Sequence, residues 1–283
     1  MLALTRRVTF SAGHIYRGGG LTRAELERTF GVAAEPSGHG HDYVLEVTVE
    51  GAVDDRDGMV VNIKDLDAAL KDLLAPLDHR MLNEALPEFR DGVPTTERLA
   101  QALWARLPKA LGAARATGLR LEEHPGLFVR LYGKDPQMVY LTRSIEFAAS
   151  HRLHSAALSE EENRRVYGKC NNPHGHGHNY VAEVTVAGEP DPRTGIVVDL
   201  GRLEALLKEE IEERFDHKHL NLDTPYFKDR VASAENIARA IWELLEPKVP
   251  ACREGGRARL HAVRLIETAR SWFDYFGPQG PAR

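Results

Sequence analysis

Cysteine is nearly absent: the 283 residues carry two, Cys170 and Cys252. A disulfide framework is excluded, and so sparse a usage suits a reducing compartment. No run of about 18 apolar residues occurs, so no membrane span is expected. Met1 to Phe10 has no apolar core of an export signal, which points to a cytoplasmic protein. Basic charge is not in excess either. Lys and Arg number 37 against 42 Asp and Glu, a formal net charge of −5, and a nucleic-acid partner would call for the opposite balance. The remainder, 42% hydrophobic and 28% charged, is that of a globular protein with a sizeable core. Its length is comfortable for two domains.

Histidine, by contrast, is plentiful at 13 residues, and much of it falls in an internal repeat. Phe10-Ser11-Ala12-Gly13-His14 recurs as Phe147-Ala148-Ala149-Ser150-His151, and Gly38-His39-Gly40-His41 as Gly175-His176-Gly177-His178, both 137 positions on. Gly58 and Gly195 keep that offset, as do Leu66 and Leu203. Leu77-Asp78-His79 matches Phe215-Asp216-His217 once one residue is inserted in the second copy; Asn83, Glu97 and Trp104 then match Asn221, Glu235 and Trp242. A repeat of this length makes two copies of one fold. The boundary falls near Leu141, giving domains 1–141 and 142–283, with no Gly/Ser-rich or Pro-rich linker between them.

Each copy reads strand, irregular segment, strand, helix, helix, strand. His176 to Val186 alternates as a strand does. Ile63, Leu66, Leu70, Leu73 and Leu77 recur at helical spacing, as do Leu203, Leu206, Leu207 and Ile211. Ile237, Ile241, Leu244 and Leu245 mark a further helix with Ser233 as its N-cap. Leu260 to Ile266 is the last strand, and Gly188 to Gly195 a turn. The fold class expected is α+β, an antiparallel sheet with a helical layer on one face in each copy.

His-Gly-His on a strand places both imidazoles on one face, and His14 and His151 end a neighbouring strand. Singly, such histidines are more often part of a core or surface. Three converging, twice over, make the donor set of catalytic zinc with an open fourth position. Zinc is preferred to iron because no carboxylate completes a facial triad within the motif. His174 shares strand parity with His176 and His178 but has Ser37 as its counterpart, so it is set aside as a ligand. Cys170, in the polar loop Gly168-Lys169-Cys170-Asn171-Asn172-Pro173, is a candidate nucleophile or proton carrier beside a lysine and a cation site. Asp216-His217 can orient an imidazole, and Glu267 ends a strand where it can accept ligand N–H groups. Cys252 has no acid–base companions.

These residues, with His154-Ser155, Glu161-Glu162-Asn163, Gly175-His176-Gly177-His178-Asn179-Tyr180, Asp216-His217-Lys218 and Ala234-Glu235-Asn236, resemble the 6-pyruvoyltetrahydropterin synthase family over essentially the whole second copy. The resemblance implies two tandem tunnelling-fold domains whose protomers ring up, with sites at their interfaces. Zinc would be held by His151, His176 and His178, and in the first copy by His14, His39 and His41. Cys170 would be the acid–base group, working with Asp216 and His217. Glu267 would anchor the pterin, with Ser233 and Glu235 among the substrate-binding residues. The implied activity is that of a carbon–oxygen lyase converting 7,8-dihydroneopterin triphosphate to 6-pyruvoyltetrahydropterin, with no external redox cofactor. The related 6-carboxytetrahydropterin synthases place their cysteine nearer the His-Gly-His pair than the five residues, Asn171 to Gly175, found here. A non-catalytic zinc- or pterin-binding protein would fit the first copy alone. That copy has Ala33 where Cys170 stands. Setting Val129-Arg130-Leu131 against Val263-Arg264-Leu265 puts Gly133 where Glu267 stands, so the first domain reads as degenerate, its triad kept and its cysteine and carboxylate lost. Family rings of three, stacked in pairs, would make the assembly a homo-oligomer, a trimer of two-domain chains.

Overall fold

The computed structural model describes residues 1–280. The chain divides into two compact units, one formed by residues 1–142 with 187–201, the other by residues 143–186 with 202–283. No linker separates them, since the division falls inside a strand.

In unit 1, β1 (Leu2–His14) runs antiparallel to β2 (His39–Gly51), in register from Leu2 opposite Gly51 to His14 opposite His39. Between them lie α1 (Arg23–Phe30) and a 3₁₀ turn, Gly31–Ala34; the segment expected to be irregular thus holds a helix. Thr22 and Glu25 start it with a reciprocal capping box. Next come α2 (Ile63–Leu74), β3 (Arg80–Met81), α3 (Leu82–Ala85) and α4 (Thr96–Arg106). β3 pairs parallel with β1. β4 (Ala110–Leu111) and β6 (Leu127–Tyr132) pair with β5 (Ala114–His124), which pairs antiparallel with β2. The strands alternate as a one-sided sheet should: Phe10, Tyr43, Leu45, Val47 and Val49 are buried, and α2 and α4 bury Leu66, Leu70, Leu99 and Leu103. Ile63, counted by periodicity among the helix's apolar positions, is instead 47% exposed.

β7 (Asp135–His151) carries the chain into unit 2. There it neighbours β8 (His176–Gly188), with α5 (Glu160–Tyr167) and the 3₁₀ turn Gly168–Asn171 between them in sequence. α6 (Leu200–Leu207) passes through a π-helical turn, Lys208–Glu212, into α7 (Glu213–Phe215). The π turn falls where the second copy needs its extra residue, and absorbing one inserted residue without breaking a helix is what such a turn does. β9 (Lys218–His219) pairs parallel with β7. After α8 (Leu220–Asp223) and α9 (Ala234–Leu245), the final strand proves to be a hairpin, β10 (Arg259–Thr268) and β11 (Ser271–Tyr275). Ser233 occupies the N-cap position of α9 but makes no side-chain capping bond.

Candidate active site

Each His-Gly-His strand delivers two imidazoles to the core side of its sheet, and the strand beside it delivers a third. In unit 1 the potential ligand atoms of His14, His39 and His41 lie within 4.8 Å of one another; in unit 2 those of His151, His176 and His178 do the same. His174 is exposed, ahead of β8, and outside the cluster. Gly40 and Gly177 let the neighbouring strand pass close: a Cβ on Gly40 would lie 2.9 Å from the Ala12 carbonyl oxygen, and one on Gly177 3.2 Å from that of Ala149.

Burial favours the neutral form of His14, His39, His41, His151 and His176. It lowers His14 to about 3 and His41 to about 4 in unit 1, and His151 to about 4 in unit 2, with neighbouring imidazoles adding to the effect. Neutral imidazoles offer the lone pairs a cation needs. His151 donates from Nδ1 to the Ala232 carbonyl at 2.7 Å, which leaves Nε2 unprotonated and fixes the ring. The Nε2 atoms of His41 and His178 are buried without a hydrogen-bond partner. Such orphaned ring nitrogens on converging imidazoles fit a metal ion better than they fit an apolar core.

A carboxylate stands beside each triad, brought from a distant strand. Glu267 on β10 places Oε1 3.8 Å from His178 Nε2 and 3.9 Å from His151 Nε2. In unit 1 the same role falls to Glu123 on β5, 3.4 Å from His41 Nε2. The expected loss of the carboxylate from the first copy is therefore wrong. β5 and β10 are the equivalent strands, each beside its His-Gly-His strand, so Leu119-Arg120-Leu121 matches Val263-Arg264-Leu265, and Glu123 matches Glu267. Gly133 matches Gly277, and an added Cβ on either would meet the matching tryptophan, Trp104 or Trp242. The sequence match chose the wrong one of two Val/Leu-Arg-Leu strings. Burial, and after it the Glu97 carboxylate, push Glu123 up to about 7, and the Thr96 hydroxyl donates to it.

Cys170 sits in the 3₁₀ turn after α5, partly exposed, and Ala33 holds its place in the matching turn of unit 1. The Cys170 carbonyl accepts from the Leu153 N–H at 2.9 Å, two residues beyond His151, and burial, then Glu267 and Cys170, raise the Tyr180 hydroxyl. Asp216 and His217 do not join the thiol within one chain. His217 shares a shallow pocket with Ala148, Ala149, Ser150, Gly177, His178, Asn179 and Lys218, and its imidazole bonds Asp216 rather than Cys170. Its backbone is held at φ 55°, in the left-handed region, by a bond to the Ala148 carbonyl at 2.6 Å. Asp216 accepts from the Ala148 N–H at 2.7 Å and holds His217 Nδ1 at 2.7 Å. Asp78 and His79 repeat this in unit 1, with His79 at φ 58°. Strained, over-determined backbone of this kind marks a position kept for its side chain. Glu235, at the start of α9, is exposed.

Sequence reasoning missed Tyr16, which stands where unit 2 has Leu153. Its ring stacks on His14 at 4.8 Å and on Phe30 at 4.3 Å. Burial, and then Glu123, raise its hydroxyl far above the usual range. Tyr16 thus packs against His14 of the triad at the position where unit 2 has the smaller Leu153.

The model of the 6-pyruvoyl tetrahydropterin synthase family matches residues 3–134 and again 140–278. The chain belongs to that family. It is similar to the 6-pyruvoyl tetrahydrobiopterin synthases of Poecilia reticulata, 47% identical over 49% of this chain and 90% of the relative, and of Homo sapiens, 46% identical over 48% and 90%. A 6-carboxy-5,6,7,8-tetrahydropterin synthase of Rickettsia bellii is 32% identical over 46% of this chain and 95% of the relative. Among solved structures, the 6-pyruvoyl tetrahydropterin synthase of Caenorhabditis elegans is 38% identical, with a TM-score of 0.45, over 50% of this chain and 96% of the other. The two tandem domains are the family's α+β fold, repeated.

Proposed function

We propose that the chain is a zinc-dependent lyase that converts 7,8-dihydroneopterin triphosphate to 6-pyruvoyltetrahydropterin with loss of triphosphate, and that unit 2 carries the reaction. The observation that supports it is the meeting of three converging imidazoles with the Glu267 carboxylate, beside the turn that carries Cys170, whose carbonyl accepts from the Leu153 N–H at 2.9 Å. His151, His176 and His178 would hold the zinc. When bound, it supplies Lewis acidity toward the hydroxyls of the substrate side chain, which makes the adjacent C–H groups acidic.

Glu267 accepts N–H groups of the pterin ring and fixes the side chain over the triad, the orientation such transfers require. The Cys170 thiolate takes and returns the proton at carbon. His217, kept in one tautomer by Asp216, serves the thiol of a neighbouring subunit. Ser233 and Glu235 line the same site from the start of α9. Unit 1 is a second zinc site lacking the thiol. Turnover of the dihydropterin triphosphate by the zinc-loaded protein, with the product identified by mass, tests the reading. A 6-carboxy product would move the protein to the related synthases, and no turnover at all would sink the assignment.

A further inference from the structure

The first histidine of each triad is held by a different kind of partner. His14 Nε2 lies 3.0 Å from His39 Nε2, and His151 Nε2 lies 3.2 Å from His176 Nε2, so in both units Nε2 points into the cluster and Nδ1 away from it. A neutral imidazole carries one proton, and the group facing one nitrogen decides which of the two has it. A ring that is to give Nε2 to a cation keeps its proton on Nδ1.

In unit 2 the group facing Nδ1 is the Ala232 carbonyl, at 2.7 Å. A carbonyl oxygen accepts and cannot donate, so His151 holds its proton on Nδ1 before any cation arrives. The Tyr180 hydroxyl does not compete. It lies 3.4 Å from Nδ1 and 3.4 Å from Nε2, and a point equidistant from both nitrogens lies along neither N–H direction. The proton between His151 and His176 therefore belongs to His176. That ring's Nδ1 is buried without a partner in either tautomer, so moving the proton strands no further group.

In unit 1 the group facing Nδ1 is the Tyr43 hydroxyl, at 3.1 Å. A hydroxyl donates as well as accepts. Tyr43 is 1% exposed, and among the described residues His14 Nδ1 is the one hydrogen-bond partner of its hydroxyl. If Tyr43 donates to Nδ1, its own proton is satisfied, and the His14 proton sits on Nε2, where His39 Nε2 accepts it. If His14 donates instead, the Tyr43 proton is buried with no acceptor. Leaving a buried donor unpaired is the costlier arrangement, so metal-free unit 1 keeps a proton on the nitrogen that a cation needs. The tyrosines themselves sit alike: Tyr43 stacks on Phe10 at 5.0 Å and Tyr180 on Phe147 at 5.1 Å.

We infer that the two triads take zinc unequally: unit 2 is loaded first and emptied last, and the Tyr43 hydroxyl is the positioning group that sets unit 1 behind it. The inference rests on the reading of both triads as zinc sites. Moving the His14 proton from Nε2 to Nδ1 strands the Tyr43 O–H, which amounts to a loss of affinity of about tenfold. A chain short of zinc thus carries its ion in the unit that holds Cys170.

The test starts from the zinc-loaded full chain with isotopically labelled histidine and withdraws zinc with a graded chelator. His39→Ala and His176→Ala chains identify the ion that each step removes. Two steps are expected, with unit 1 emptied at about tenfold lower chelator. At the end of the titration, nitrogen chemical shifts should show His14 protonated at Nε2 and His151 at Nδ1. Tyr43→Phe keeps the ring and deletes the hydroxyl, so it should remove the Nε2 preference of His14 and leave His151 unchanged. Tyr180→Phe should change neither ring. A single step for both ions, a reversed order, His14 protonated at Nδ1 in the metal-free chain, or a Tyr43→Phe chain that keeps the Nε2 proton would each overturn the inference and leave the zinc reading standing. A chain that binds zinc at neither triad would overturn both.

Discussion

Replacing Cys170 by alanine removes the candidate thiol of unit 2, and placing a cysteine at Ala33 puts one in the matching turn of unit 1. Losing an acid–base group costs about 10²–10⁴ in turnover, or about 3–5 kcal/mol of barrier. Unit 1 already has three imidazoles, Glu123 and the Asp78–His79 pair, so the thiol is one of two differences that matter. Tyr16 is the other, since its ring lies on His14 where unit 2 has Leu153. Ala33→Cys alone, in the Cys170→Ala chain, should therefore restore little. Adding Tyr16→Leu should open the space and recover at least about tenfold over the Cys170→Ala parent, within the range that the lost group spans. The cost is tolerable. Two stacked pairs at about 0.5–1.5 kcal/mol each amount to about 1–3 kcal/mol, against a stability of roughly 5–15 kcal/mol. The assay is turnover of the dihydropterin triphosphate with zinc content measured on the same samples. A triple variant that is folded and zinc-loaded but no faster than Cys170→Ala would refute the reasoning, and a Cys170→Ala chain with full activity would remove the thiol from the mechanism.

Metal analysis should find about two zinc ions per chain, falling to about one in His176→Ala; a single ion, lost in that variant, would mean the unit 1 triad binds none. Protons should compete with the metal. His14 and His151 are lowered to about 3 and about 4 when folded, against about 6.5 when unfolded, so between those limits the unfolded chain binds more protons. Metal-free stability should be full above about pH 6.5 and fall as the pH drops toward 4, and denaturation midpoints in a chelator would show it. Glu267→Gln should raise KM and lower turnover while leaving zinc content unchanged; lost zinc would make Glu267 a ligand instead. Gly277→Ala should destabilise by more than about 1 kcal/mol, because φ is 82° and the new Cβ would lie 2.5 Å from the Trp242 ring; an unchanged thermal midpoint would contradict that geometry.

The repeat made the fold and both triads legible, because a strand's period of two puts His39 with His41 and His176 with His178 on one face whatever surrounds them. The inserted residue was legible too, though not its form as a π turn. What the sequence could not settle was strand equivalence. Two strings of the same type, Leu119-Arg120-Leu121 and Val129-Arg130-Leu131, lie on adjacent strands, and only the pairing of β5 with β2 shows which one faces the triad. The choice of zinc over iron rested on there being no carboxylate within the motif, yet Glu123 and Glu267 arrive from strands far along the chain. Tyr16 carried no signal, since a tyrosine two residues beyond a histidine is ordinary until its ring is seen on the imidazole. The left-handed backbone of His217 was likewise hidden, since nothing in the dipeptide Asp216-His217 requires it.

The strand that carries the chain from one unit to the other decides how the protein can be taken apart. Leu141 and Thr142 are buried inside β7, so a protease meets no exposed joint there, and a gene cut at that point would end its first product within a strand. That product would also lack residues 187–201, leaving Glu97 without the Val197 N–H and the start of α4 uncovered. The two copies share one sequence pattern, but the first draws contacts from the second. A first half cut away at Thr142 would therefore lose the bonds that Thr95 and Glu97 make to Gly195 and Val197.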